Sequence, residues 1–70
     1  MNLKIFGLQL RKLRRRADLS QKEAEALLDM KPGNGALSHY ERGKREPGAS
    51  FLLKVSKVYN ATIDEFFQNQ

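Results

Sequence analysis

The sequence has no cysteine, and its one histidine has no second histidine with which to share a metal ion. Disulfides and cysteine-ligated zinc are therefore excluded, so an apolar core alone has to hold the fold together. No apolar run approaches the ~20 residues of a membrane span, and Met1 to Gly7 is too short and too mixed for the core of a signal peptide. These absences predict a cytoplasmic protein without a metal ion, a cofactor or a membrane-spanning segment.

Acidic residues are missing from the first part of the chain, where six basic side chains precede Asp18, the first carboxylate. The whole chain carries a net charge of +5 and has a pI near 9.9. A basic domain of this kind is an electrostatic candidate for binding nucleic acid or an anionic membrane surface. A solvated basic surface without any partner explains the charge equally well. Charge alone leaves these three interpretations open.

Apolar side chains recur at helical spacing along the chain, and no segment has a convincing strand pattern. Phe6, Leu10 and Leu13 lie on one stripe of the first predicted helix. Capping boxes at Ser20–Glu23 and Thr62–Glu65 begin the second and the fifth helix. The predicted helices are about Leu3–Ala17, Ser20 to near Asp29, Asn34 or Gly35 to Arg42, about Ala49–Tyr59, and a short helix after Thr62. The residues expected to end three of them in a left-handed conformation are Asp18, Gly43 and Asn60.

Five short helices with brief connections predict a compact all-α fold, with residues 1–70 forming a single domain. The side chains expected in its core are Leu10, Leu13, Leu28, Leu37, Tyr40, Leu52, Val55 and Phe66. A chain of this size hides only about 60% of its unfolded surface, which leaves no room for a sizeable pocket. The sequence also has no paired-carboxylate, nucleophile or metal-ligand pattern, so neither an enzyme nor a small-molecule substrate is expected.

Three segments of the sequence are distinctive: LSQKEA from Leu19, LSHYERGKREP from Leu37, and LKVSKVYNATIDEF from Leu53. In this order they resemble the lambda-repressor/Cro-type (XRE) family of DNA-binding domains, and the resemblance extends from about Phe6 to Phe67. It implies a five-helix domain with a helix-turn-helix at about residues 20–42. The segment KPGNG, residues 31–35, is then the turn rather than a linker or a nucleotide-binding loop, because no strand precedes it.

The resemblance implies a sequence-specific transcriptional regulator that binds double-stranded operator DNA. We expect a small phage-type or prophage-type repressor that occupies a palindromic site as a homodimer and is associated with the nucleoid. The third helix would read the bases, because a helix entering the major groove presents its first turn there. A repressor without a separate effector domain would need to dimerise or bind cooperatively, since one reader helix contacts too few base pairs to specify a site.

The resemblance and the chemistry of the side chains together select the candidate site residues. Those expected to contact bases are Asn34, Ser38 and His39. Asn34 can pair with adenine through two hydrogen bonds or serve only as a helix cap, and His39 can equally be a solvated surface side chain. Those expected to contact DNA phosphates are Gln21, Lys31, Gly33, Gly35, Arg42, Lys44 and Arg45; the two glycines would do so through backbone amides. Arg14 and Glu41 match two family positions that form a structural ion pair.

The sequence departs from the family pattern at the turn. The helix-turn-helix is two residues longer, most simply through Lys31 and Pro32. Asp29 replaces the usual glycine of the turn, and Glu25 replaces a small residue where the two helices touch. A longer turn would relieve crowding at Glu25 and would shift the start of the reader helix.

Two other functions are compatible with the sequence. The stretches SQKEA and ALSHYE also resemble antitoxins that carry this domain, which neutralise a toxin protein and regulate their own operon. The domain uses almost every residue, however, and leaves little chain for contact with a toxin. The Arg-rich first helix suggests binding to an anionic membrane, but its apolar stripe is needed for the core.

Overall fold

Four α-helices and a short 3₁₀ helix make up the chain in the computed structural model, which describes residues 1–31 and 33–69. The elements are α1 (Leu3–Arg16), α2 (Gln21–Leu27), α3 (Ala36–Glu41), α4 (Ala49–Val58) and the 3₁₀ helix (Ile63–Phe67). The predicted all-α class is confirmed. Pro32, which the sequence analysis places in the lengthened turn, lies outside the described residues. Across the described ranges, no helix has the length and apolar character that crossing a membrane requires.

The prediction of five α-helices is wrong by one, because the last helix is a 3₁₀ helix of five residues. Gln68 already has extended backbone, with φ −66° and ψ 149°, so the segment ends before α-helical hydrogen bonding can be established. Short helical pieces at such positions commonly adopt the tighter 3₁₀ geometry.

Local capping signals determine where the helices begin and end. The Ser20 hydroxyl accepts from the Glu23 amide at 3.1 Å, while the Glu23 carboxylate accepts from the Ser20 amide at 2.9 Å. Thr62 and Glu65 form the same reciprocal pair, so both predicted capping boxes are confirmed. The residues with positive φ that follow α1 to α4 are Asp18, Asp29, Gly43 and Asn60. Helix α2 ends at Leu27, two residues before the predicted Asp29, because Asp29 itself is left-handed.

The core lies between α1, α2, α3, α4 and the 3₁₀ helix, with α1 packed against both α3 and the 3₁₀ helix. Seven of the eight predicted core residues are buried, and the core also contains Phe6, Ala24, Tyr59 and Ala61. Leu52, the eighth, is only half-buried. Helix α4 turns Val55 fully inward, which leaves Leu52 and Phe51 at the edge of the core. There Phe51 stacks on Tyr40 with ring centroids 3.9 Å apart.

Helices α1 and α3 touch backbone to backbone at Gly7. A Cβ atom at this position would overlap the carbonyl oxygen of Glu41 and would lie 2.8 Å from that of Tyr40. Only glycine allows this approach, because any larger residue places an atom where the α3 carbonyls lie. The contact places the first half of α1 directly against the end of α3.

An exposed ion pair joins the end of α1 to the last helix. Arg16 Nη1 donates to Glu65 Oε1 at 2.6 Å, and Nη2 donates to the carbonyl of Asn60 at 3.3 Å. The hydrogen bond from Arg16 is the largest of the causes that lower the pKa of Glu65 from 4.5 to about 2, followed by the amide of Thr62.

This pair predicts an acid-dependent loss of stability. A carboxylate whose pKa falls on folding stabilises the native state above its unfolded pKa and loses that effect as the pH drops toward its folded pKa. The melting temperature should therefore decrease between about pH 4.5 and pH 2. In Arg16→Gln this decrease should be smaller than in the wild type and in Arg15→Gln, the matched control. An unchanged decrease in Arg16→Gln would assign the acid sensitivity to another carboxylate, such as Glu23, whose pKa is lowered mainly by the Ser20 amide.

Candidate nucleic-acid interface

Helix α3 has a buried face and an exposed face. Leu37, Tyr40 and Glu41 are buried against the rest of the domain. The helical period then directs Ser38 and His39 to the opposite side, where Ser38 is half-buried and His39 is exposed. Two of the three residues predicted to contact bases therefore share the outer face of the predicted reader helix.

The turn before α3 places Asn34 at the start of the helix. Its Oδ1 accepts a hydrogen bond from the Ala36 amide at 2.9 Å, but Asn34 lies one residue before the N-cap position of α3. Gly35 is the N-cap residue and is left-handed at φ 75°, a conformation that other residues rarely adopt. Around Gly33, which is exposed, no heavy atom of the described residues lies within 4 Å of an added Cβ. The backbone of this turn is open to an approaching partner.

The structure brings Arg14 and Glu41 together, as the family positions imply. Arg14 Nε donates to Glu41 Oε2 at 2.7 Å, and Nη2 donates to Oε1 at 3.3 Å. The remaining nitrogen, Nη1, donates to the Leu19 carbonyl at 2.7 Å. The side chains are 9% and 4% exposed, so the charges are shielded from water and depend on each other. The pair links α1, the start of the α2 connection and the end of α3.

Gln21, predicted to contact phosphate, is held by the same carboxylate. Its Nε2 donates to Glu41 Oε1 at 3.0 Å. A carboxylate can only accept hydrogen bonds, so the Gln21 amide must turn its nitrogen toward Glu41. Glu41 thereby fixes the first residue of α2 relative to the last residue of α3, a contact that the sequence analysis did not predict.

A buried phenol lies near this ion pair. Tyr59 is 1% exposed, and within the described part of the chain its hydroxyl has no hydrogen-bond partner. Burial raises the pKa of Tyr59 well above its ordinary value, the charge of Glu41 raises it further, and Arg14 lowers it. The phenol therefore stays neutral beside the Arg14–Glu41 pair.

The predicted phosphate-binding cations occupy different environments. Lys31, Arg42 and Lys44 are exposed, in the turn before α3 and directly after it. Arg45 is exposed too, but its guanidinium carbon lies 5.1 Å from the ring centroid of Tyr40, in the geometry of a cation–π contact. Arg45 therefore covers the edge of the core next to the Tyr40 and Phe51 stack.

A cleft of about 340 Å³ beside α3 includes one cation that the sequence analysis did not select. Its lining residues are Arg11, Arg14, Gln21, Ser38, Glu41 and Arg42. Arg11 precedes Arg14 by three residues, so the two side chains lie on neighbouring parts of α1. This spacing is the signal by which the sequence could have identified Arg11 as a candidate site residue. Only the packing of α1 on α3 shows that Arg11 reaches the candidate interface.

Sequence comparisons match this chain to known proteins. A family model described as helix-turn-helix matches residues 10–66. The HTH-type transcriptional regulator ImmR of Bacillus subtilis (strain 168) is 43% identical over 59 residues, which cover 84% of this chain and 45% of ImmR. The chain thus spans about half the length of this curated relative.

Solved structures are also similar. The restriction-modification controller protein C.AhdI from Aeromonas hydrophila has 29% identity and a TM-score of 0.84, covering 94% of this chain and 93% of its own. The clp gene regulator ClgR from Corynebacterium glutamicum shares the fold at 24% identity and a TM-score of 0.84, covering 96% of this chain and 69% of its own. Because the family model covers most of the chain, the protein belongs to the helix-turn-helix family, in the lambda-repressor/Cro-type (XRE) class that its three sequence segments resemble.

Proposed function

We propose that the protein is a sequence-specific transcriptional regulator that binds double-stranded DNA with α3 as its reader helix. The observation that carries this proposal is the division of α3 into a fully buried face and an outer face bearing Ser38 and His39. A reader helix needs this arrangement, because its buried face fixes the angle at which its outer face enters the major groove. The similarity to ImmR and C.AhdI, both described as regulators or controllers, supports the same function.

In the proposed complex, Asn34, Ser38 and His39 contact base edges. Hydrogen bonds to base edges carry sequence information, whereas contacts to phosphates set the register of the protein on the duplex. The proposed phosphate contacts are Gln21, Lys31, Gly33, Gly35, Arg42, Lys44 and Arg45. Gln21 enters the complex with its amide already oriented by Glu41, so less conformational freedom is lost on binding.

The proposed regulator acts as a homodimer on a palindromic operator in the nucleoid and has no enzymatic activity. Helix α3 has only six residues, so one copy can contact few base pairs. Two copies related by a two-fold axis would read two half-sites about one DNA turn apart, roughly 34–36 Å. Occupation of a promoter by such a dimer would repress transcription.

Selection from a randomised duplex DNA pool at roughly physiological salt tests this function, since that salt concentration weakens nonspecific electrostatic binding. Sequencing the bound fraction should show a two-fold symmetric site. Enrichment of an asymmetric site would support sequence-specific binding and contradict the dimer. Retention of DNA without an enriched sequence would contradict the proposal, and the antitoxin function would then be tested by capture of a toxin partner.

Asn34→Ala should relax the base preference at one position of each half-site. Losing a two-point contact with adenine removes about 1–3 kcal/mol of discrimination against the wrong base. The measurement compares binding to the selected site with binding to its single-base variants. Asn34→Ser is the control, because a serine oxygen can still accept from the Ala36 amide but cannot make the paired contact with adenine. A preference in Asn34→Ser that matches the wild type would show that Asn34 serves only to accept the hydrogen bond from the Ala36 amide.

A further inference from the structure

Two adjoining clefts lie where α1 packs against α3. One is the cleft of about 340 Å³ that contains Ser38 and Gln21, and the other, of about 300 Å³, is lined by Lys4, Leu8, Arg11, Glu41 and Arg42. Arg11 and Arg42 line both clefts. We call the two clefts together the α1–α3 trough.

The trough has an uncompensated positive charge. Its one carboxylate, Glu41, is buried and already paired with Arg14. The described residues contain two ion pairs, Arg14–Glu41 and Arg16–Glu65, and neither involves Lys4, Arg11 or Arg42. These three cations are exposed at the rim of the trough. Like charges held side by side favour an anionic ligand that can neutralise them.

Helix geometry explains why Lys4 and Arg11 reach the trough while Lys12 does not. They are seven residues apart, about two helical turns, and therefore lie on the same side of α1. Gly7 lies between them on that side and allows the backbone of α1 to approach the end of α3. Lys12 points about 100° further around the helix, toward the side where Arg16 pairs with Glu65.

We propose that the α1–α3 trough binds the phosphate backbone of DNA, with Arg11 of α1 as a phosphate ligand outside the helix-turn-helix. This inference rests on the proposed DNA-binding function. The guanidinium of Arg11 presents a planar set of donors suited to phosphate oxygens, and Arg42 presents a second set from the end of α3. Gln21 and Ser38 line the cleft that also contains Arg11. The trough therefore extends from the outer face of α3 to the side of α1 that carries Arg11.

A phosphate contact of this kind is independent of DNA sequence. Removing it should weaken binding to the selected site and to unrelated DNA by the same factor. It should also reduce the salt dependence, because each neutralised phosphate contributes about 0.9 to the slope of log K against log salt concentration.

The test compares Arg11→Gln with Lys12→Gln, which removes one charge from the adjacent exposed residue of the same helix. Lys12 does not line the trough. Fluorescence anisotropy with the selected duplex over a salt series should show roughly tenfold weaker binding for Arg11→Gln at physiological salt and a slope reduced by about one. Lys12→Gln should change the affinity by at most about twofold and leave the slope as in the wild type. Arg11→Lys should retain the wild-type slope.

If Arg11→Gln and Lys12→Gln weaken DNA binding equally while the wild type still binds its selected site, the proposal that the trough binds DNA phosphates is wrong. The proposed regulator function would be unaffected by this result. Failure of the wild type to select any site would instead overturn the proposed function. Vesicles containing phosphatidylglycerol form a second arm of the experiment. If Arg11→Gln weakens binding to these vesicles and leaves DNA binding unchanged, the ligand of the trough is a lipid headgroup and the proposal is wrong.

Discussion

Replacing Glu41 with leucine should lower the free energy of unfolding by about 3–5 kcal/mol, the usual effect of removing one member of a buried ion pair. The carboxylate accepts from two nitrogens of Arg14 and from the amide of Gln21. After the substitution, Arg14 would keep only the Leu19 carbonyl as its acceptor while its side chain remains 9% exposed. A guanidinium in that position retains its charge but loses the interactions that offset its removal from water.

Two causes could produce this loss of stability: the unpaired charge of Arg14 and the missing contacts of Glu41. Urea unfolding of Glu41→Leu and of the double variant Arg14→Met/Glu41→Leu separates them. The double variant leaves no charge buried, and replacing both partners of a buried pair with apolar groups is often close to neutral. We therefore expect it to recover most of the stability lost in Glu41→Leu. Equal loss in the single and double variants would show that the contacts of Glu41 matter rather than the unpaired charge of Arg14. Arg16→Gln, which breaks the exposed pair with Glu65, should have a far smaller effect than Glu41→Leu.

The ends of the helices were predictable from sequence because the interactions that set them are local. Ser20 and Glu23 are three residues apart, so their reciprocal capping bonds can be identified without knowing the rest of the fold. The same holds for the left-handed residues that follow α1 and α4. The position of most core side chains was also predictable, since helical spacing alone assigns them to one face.

The contacts between helices were not predictable in this way. Gln9 illustrates the difficulty, because its Nε2 donates to the carbonyl of Glu65, 56 residues further along the chain. The sequence shows a polar residue beside an apolar stripe and cannot indicate that this residue is buried. The bond between Gln21 and Glu41 and the position of Arg11 beside α3 depend in the same way on how the helices pack. The family resemblance supplied the pairing of Arg14 with Glu41, but not the other members of this network.

Helix α3 shows how local and distant interactions combine. The end of α3 is tied to α1 and to α2 through Glu41, which contacts both Arg14 and Gln21. The turn between α2 and the first turn of α3 contains Asp29, Gly33 and Gly35, which all adopt positive φ. The backbone conformation of this turn sets the start of the proposed reader helix, while the Glu41 contacts hold its end. Glu25, at a position where the family resemblance implies a small residue, is 9% exposed in this arrangement.

Gly7→Ala should destabilise the domain by about 2 kcal/mol or more, although the propensity of alanine for helices predicts the opposite sign. In an exposed helix this substitution would stabilise by up to about 1 kcal/mol. At Gly7 the added Cβ would meet the carbonyl oxygens of Tyr40 and Glu41, which belong to the backbone and cannot rotate away. Inserting atoms into a filled contact typically costs about 1–3 kcal/mol, and rigid neighbours favour the upper part of this range.

Urea unfolding decides between the two signs, with Gly48→Ala as the matched control. Gly48 is the N-cap residue of α4 with φ −89°, and beyond its chain neighbours no described heavy atom lies within 4 Å of an added Cβ, so its substitution should cost at most about 1 kcal/mol, the usual loss for alanine at an N-cap. A larger loss in Gly7→Ala than in Gly48→Ala would show that the backbone contact of α1 with α3 is essential to the fold. A gain in stability at Gly7 would mean that the helices can separate without penalty, and the close approach that positions Arg11 and Arg14 beside α3 would then not be required for folding.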